Sequence, residues 1–290
     1  MTLRTKLSAA SLVALMFLAP VTMAAAEEEG QTPATRLIAA HAESIVSIQM
    51  TVSTRMTMMG DSGDQESTSE VRGVLLDASG LVLTSSSHFE GGMMGMVARM
   101  MGQDVDIDAT PTDMKVLFGA EEEEYPARLV AKDSDLGLAF VQIIDLKDRA
   151  VKPLDLGSAA TPVVGSNLLG ITRMARSFDC APQVSRCYVT ATVERPRSMV
   201  AIAGDFGSVG MPVFTSRGAI VGVLTMQEGT EGVEAEEEGG GILAMLSGGE
   251  QEMGLFVLPL ETVKQTVAKA KAKAAEAATE ETTEETTEDE

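Results

Sequence analysis

The chain has 290 residues, 43 of them acidic against 22 basic, and a formal net charge of −21. So acidic a surface repels nucleic-acid backbones and anionic lipid, and neither is expected as a partner. Two cysteines and two histidines leave too few ligands for a metal centre, so no metal and no cofactor is expected.

In chain order, residues 1–26 have the form of a secretory signal. Arg4 and Lys6 supply a positive start, Leu12 to Ala19 an apolar run, and Ala24-Ala25-Ala26 a small-residue cleavage site before Glu27. The run is too short for a convincing spanning helix. A bacterial-type export to the periplasm or outside the cell is expected, with no stable membrane insertion after cleavage.

A helix is expected near Pro33 to Ala42. Short β-like runs then dominate. A first set comprises Ser44–Val52, Val71–Leu76, Leu81–Thr84, Lys115–Phe118, Ala127–Val130 and Leu138–Ile143. A second comprises Asn167–Ile171, Tyr188–Val193, Met199–Ala203, Pro212–Thr215, Ala219–Met226 and Gly254–Pro259. Turn residues such as Asp77-Ala78-Ser79-Gly80 and Ser216-Arg217-Gly218 separate them. Many short strands with little helical periodicity predict an all-β chain of antiparallel barrels or sandwiches.

Cys180 and Cys187 lie close together in a polar stretch, and in an oxidising compartment such a pair is expected to form a disulfide. Ala, Lys and Glu dominate Glu261 to Ala278, a predicted helix. Glu276 to Glu290 is acidic without a base, which predicts a disordered solubilising tail.

Four blocks carry a family likeness. They are Gly73-Val74-Leu75-Leu76-Asp77-Ala78-Ser79-Gly80-Leu81-Val82-Leu83-Thr84, Tyr125-Pro126-Ala127-Arg128-Leu129-Val130-Ala131-Lys132-Asp133, Gly207 to Val213 with Gly218 to Val223, and Gly254 to Leu260. In this order and spacing, the chain from about Ala39 to Val267 resembles the protease domain of the HtrA (Deg) group of trypsin-like serine proteases. The resemblance implies two antiparallel six-stranded β-barrels with a short C-terminal helix and an acidic tail. It places the first lobe at 33–157, the second at 158–262, and the helix and tail at 263–290. No PDZ domain is expected, since the last block runs directly into the tail.

The chemistry of that family needs a serine nucleophile, a histidine base and a carboxylate that orients the imidazole. By the resemblance, the base position is Ser87, the acid position Gly137 and the nucleophile position Val209. None of the three can do its part. His88, Asp135 and Ser208 lie near these positions and are the candidates for a rearranged triad. Neighbouring side chains in extended segments point oppositely, which opposes that rescue. Gly207 and the Val209 amide match the oxyanion-hole donors, while Met211, in place of a small glycine, crowds the loop.

Two insertions border the implied cleft. Residues 91–108 carry Met93, Met94, Met96, Met100 and Met101, whose thioethers suit Cu(I), oxidants or an apolar packing role. Residues 228–252 are rich in Gly and Glu around Ile242-Leu243-Ala244-Met245-Leu246. The expectation is an exported, catalytically inactive pseudoprotease that binds peptide segments or a partner protein. The alternatives are an active endopeptidase using His88 and Ser208, and a Met-rich Cu(I)-binding or oxidant-absorbing protein. The oligomeric state is left open.

Overall fold

The structure is a computed structural model, and it describes residues 31–58, 61–89, 108–205, 207–228 and 253–288. Helix α1 (Pro33–His41) starts where Pro33 occupies the first turn and the Thr32 hydroxyl accepts from the Thr35 amide. That cap satisfies one of the helix's otherwise orphaned donors. Strands β1 (Ile45–Met58), β2 (Asp61–Leu75), β3 (Leu81–Ser85), β4 (Asp108–Phe118), β5 (Glu124–Asp133) and β6 (Leu138–Ile143) close into one barrel, in the order β1-β2-β3-β6-β5-β4. Strands β7 (Asn167–Arg173), β8 (Pro182–Val193), β9 (Met199–Gly204), β10 (Pro212–Thr215), β11 (Ile220–Glu228) and β12 (Met253–Pro259) close a second, ordered β10-β11-β12-β9-β8-β7. All pairings within the ladders are antiparallel. Closure leaves no sheet edge inside either barrel.

Strand periodicity explains how the barrels pack. In β3 and β6, Val82, Ala139, Val141 and Ile143 fill the first barrel with Val46, Ile48, Leu75 and Val116. Their neighbours Leu81, Leu83, Leu138 and Phe140 point the other way. They join Ile171, Met211, Phe214, Val223 and Leu258 of the second barrel in one shared cluster. This is why these strands read as continuous apolar runs, buried on both faces. Each such large side chain, fully buried, contributes about 1.5–3 kcal/mol.

Helix α2 (Leu260–Glu288) lays Leu260, Val263, Val267 and Ala270 into the same cluster, and Leu37 of α1 enters it too. Lys271 of α2 pairs with Asp77 of the first barrel at 2.9 Å. Buried Arg72 and half-buried Arg173 stitch the barrels further. Arg72 of β2 donates to the Arg173 and Met174 carbonyls at 3.1 and 2.7 Å. Arg173 of β7 donates to the Ile45 and Ala42 carbonyls at 2.9 and 2.6 Å.

Three expectations need correction. The β1–β2 ladder runs on through Met58 and Asp61, well beyond the predicted ends at Val52 and Val71. On β1 the alternation continues at Met56 and Met58 past a polar Thr54, but the facing β2 residues 61–70 hold no apolar side chain, so only one strand of the outer ladder carries a period-2 signal. Helix α2 continues through the segment expected to be a disordered tail. Cys180 and Cys187 are free, buried thiols. Cys187 stands opposite Leu168, whereas Pro182, just past Cys180, stands opposite Arg173. At about 3.3 Å per residue, Pro182 and Cys187 lie about 16 Å apart along β8. A disulfide needs its Cα atoms within about 7 Å, so chain proximity does not bring these sulfurs together.

Candidate functional site

Three loops meet on the seam between the barrels. The first follows β3, where Ser86 to Phe89 form a single 3-10 turn. Phe89 anchors it in the first barrel's core, and the Ser86 amide donates to the Gly137 carbonyl at 3.1 Å. Ser87 is exposed, its hydroxyl 2.8 Å from that of Ser85. His88 is half-buried, and burial pushes its imidazole below the ordinary value of 6.5.

The second loop is the turn between β5 and β6. The Gly137 amide donates to the Ser134 carbonyl and the Leu136 amide to the Asp133 carboxylate. Gly137 has φ +70°, in the left-handed region that favours glycine. A Cβ there would come 2.8 Å from Thr225 Oγ1. Thr225, fully buried in β11, donates to the Leu136 carbonyl at 2.9 Å. Asp135 is exposed, and its carbonyl accepts from Arg197 and Gln227.

The third loop leads from β9 into β10. The Gly210 amide donates to the Leu224 carbonyl and the Met211 amide to the Ser208 carbonyl. Gly210 has φ +88°, and a Cβ on it would lie 2.8 Å from the Ser85 amide nitrogen. The loop therefore rests directly on the end of β3. Met211, only 2 % exposed, is part of the shared core. Ser208 lines a depression at the mouth of the second barrel, behind the loop.

The fold thus gathers Ser87, Gly137 and Val209, the three positions where the resemblance places a triad. It supplies serine, glycine and valine there. Among the described residues no hydrogen bond joins His88, Asp135 and Ser208 to one another. The backbone amides of Gly207 and Val209 have no described backbone acceptor. Sequence reading missed Thr225; its signal is a lone polar residue in the apolar run Val223-Leu224-Thr225-Met226. No group of three or more His, Cys, Asp or Glu suited to a metal lies among the described residues. The insertions at 91–108 and 228–252, with their methionines and acidic residues, lie almost wholly outside the described residues.

A six-plus-six-stranded antiparallel double barrel, with three loops converging on the seam, is the architecture of a trypsin-fold protein. The family model described as trypsin-like peptidase domain matches residues 71–223, and the chain belongs to that family. Among solved structures, that of Deg5 is similar with a TM-score of 0.50 at 16% sequence identity. The match covers 80% of this chain and 91% of the Deg5 chain. At that identity the likeness is one of fold alone. No curated protein matches the sequence.

Proposed function

We propose that this chain is a non-proteolytic member of its family, exported from the cell, whose inter-barrel cleft holds a peptide segment of a partner protein. The observation that carries the reading is the assembled seam itself. Ser86 is hydrogen-bonded to Gly137, and Gly210 is packed on Ser85, so the three loops stand together as acyl transfer requires. The side chains they present hold no nucleophile, base or acid in the family's order. Valine has no proton to lose, and glycine cannot orient an imidazole.

Peptide binding in this fold does not depend on the triad. Main-chain groups bordering a cleft can hold an extended segment by strand-like hydrogen bonds, with pockets for alternate side chains. Exposed Met226 and half-buried Gln227 at the end of β11 offer such a border next to Gly137. The N-terminal signal supports the export part of the proposal.

The test is to incubate the mature protein with unfolded casein and with a serine-directed fluorophosphonate probe. Intact casein, no labelling, and a measurable shift in fluorescence polarisation with labelled casein peptides are expected. Cleavage or labelling that Ser208→Ala abolishes would overturn the inactive reading. Absence of any peptide binding would remove the cleft's binding role.

A further inference from the structure

Strands β1, β2 and β4 run on past the first barrel as a three-stranded ribbon. The β1–β2 register continues without a shift from the Ile45–Val74 pair to the Met58–Asp61 pair. On its other side β1 pairs with β4 as far as Arg55 and Asp108. The far side of β2 is covered only at one end, where Val74 pairs with Leu83 and Leu75 with Val82. Among the described residues no strand pairs with that side of β2 between Asp61 and Glu70.

The direction of the uncovered main-chain groups follows from parity. In an antiparallel ladder the N–H and C=O of one residue point to the same side, and successive residues alternate. The Leu76 amide donates to the Leu81 carbonyl, and the Arg72 carbonyl accepts from the Thr84 hydroxyl. Arg72, Val74 and Leu76 therefore face β3. With no bulge in the ladder, Ser62, Asp64, Glu66, Thr68 and Glu70 turn their N–H and C=O groups to the same, uncovered side. Their neighbours Gly63, Gln65, Ser67 and Ser69 face β1.

Such a row is a template for a further strand. The other edge of the ribbon is blunted, because β4 carries Pro111, which has no N–H, beside a register shift at Thr51 and Val52. The β2 edge has neither device. Between Asp61 and Glu70 it holds no proline, lysine or arginine, but four acids, Asp61, Asp64, Glu66 and Glu70. Asp64, Glu66 and Glu70 fall at alternate positions, the spacing of one strand face. Glu70 is paired with Arg72. A second copy of this chain is a poor occupant, since edge-to-edge pairing sets the acids of one β2 beside those of the other.

We infer that the free edge of β2 takes up an extended peptide segment of a basic partner, with lysine or arginine at every second position. Main-chain hydrogen bonds to Ser62, Asp64, Glu66, Thr68 and Glu70 hold the added strand, and the alternating charge selects it. The site uses no residue of the three seam loops, so it stands whether or not the inter-barrel cleft binds peptide.

The probe is a short fluorescein-labelled peptide of alternating lysine and threonine, titrated into the mature protein, with alternating glutamate and threonine as the control. Polarisation should rise with the lysine peptide only. Thr68→Pro removes one outward N–H and leaves the β1 ladder its bonds. It should weaken binding roughly tenfold. Binding that this substitution leaves unchanged is attraction to acidic residues at large and overturns the edge site, as does no binding. Amide exchange reads the same edge in the unaltered protein. The Asp64, Glu66 and Thr68 amides should exchange faster than those of Gly63, Gln65 and Ser67, and the lysine peptide should slow them. No slowing by the peptide overturns the inference. Protection that instead grows with protein concentration gives the edge to a second copy and overturns it too.

Discussion

Thr225 Oγ1 occupies the space that a side chain at Gly137 would need, 2.8 Å from where its Cβ would stand. The acid position of the seam is closed by packing as well as by composition. The glycine's φ of +70° adds a second barrier. A left-handed backbone costs most residues about 1–2 kcal/mol, aspartate somewhat less. Gly137→Asp must also displace Thr225 and its bond to Leu136, so the total is about 2–3 kcal/mol. Tm should fall by roughly 5–10 °C. Combining Gly137→Asp with Ser87→His and Val209→Ser should yield no casein cleavage, because Thr225 Oγ1 holds the space the new side chain needs. Cleavage by the triple variant, with an unchanged Tm, would show the acid position to be open.

Gly210 makes the companion prediction at the nucleophile loop. Its φ is +88°, and an added Cβ would meet the Ser85 nitrogen at 2.8 Å and the Thr84 carbonyl carbon at 2.9 Å. Those are backbone atoms of a buried strand and cannot swing aside. Gly210→Ala should therefore cost at least about 2 kcal/mol, the sum of left-handed strain and a clash between the barrels. Chemical denaturation should show a lower midpoint. A midpoint within error of the parent would mean that the loop does not rest on β3.

Much of this frame was legible from residue order. Each of the twelve strands overlaps the run that predicted it, and the mark is plainest in β3 and β6, whose residues are buried on both faces. The positions Ser87, Gly137 and Val209 rest on the family resemblance of the blocks around them, and the structure brings their loops together. The outer β1–β2 ladder was not legible, since the β2 residues 61–70 that pair with β1 include no apolar residue to mark them as a strand. The free thiols were not, because Cys180 and Cys187 are close along the chain and β8 then carries them apart. The fit of Thr225 against Gly137 joins residues remote in sequence, and no local pattern encodes it.

Arg72 and Arg173 should behave as an inter-barrel clamp. Each guanidinium donates across the seam to two carbonyls, and Arg72 also holds Glu70 at 2.6 Å and the Ser47 hydroxyl at 2.8 Å. Burial raises the Glu70 carboxyl, but the bonds from Arg72 and Ser47 outweigh it and hold it below 4.5. Arg72→Met leaves that carboxylate without its partner and removes Arg72's two crossing bonds, leaving those of Arg173. A loss of about 2 kcal/mol is expected, from the lost charge-assisted bonds of a half-buried pair and its carbonyl partners. Calorimetry should also show the single transition broadening as the barrels uncouple. A sharp, unshifted transition would mean that the apolar cluster alone joins them.

The free thiols predict indifference to reductant. Dithiothreitol should leave Tm of the purified protein unchanged, because no cross-link constrains the unfolded chain. Both thiols should be silent to a thiol reagent in the folded state and react fully on denaturation. Burial pushes the Cys187 thiol up to about 11, so little thiolate exists at neutral pH even where the reagent gains access. A Tm that drops on reduction would place the two sulfurs in a bond.

The two histidines set the acid limb of stability. Burial lowers the His88 imidazole below 6.5. Burial lowers His41 as well, helped by Lys152 and partly opposed by Asp155, while its ring stacks on Phe214 at 4.6 Å. For a group whose folded value is depressed, the unfolded chain binds the proton first as pH falls. The stabilisation is therefore complete above 6.5 and is lost progressively below it, down through the depressed folded values. Asp77 and Glu70, also depressed, act the same way only below about 3.8 and 4.5, their ordinary values. Between pH 7 and 5 the slope of Tm should thus come from the imidazoles. His88→Gln should flatten that slope and His41→Gln flatten it further, while at pH 8 the His88 change leaves Tm close to the parent. A slope unchanged in the double variant would assign the acid limb to carboxylates instead.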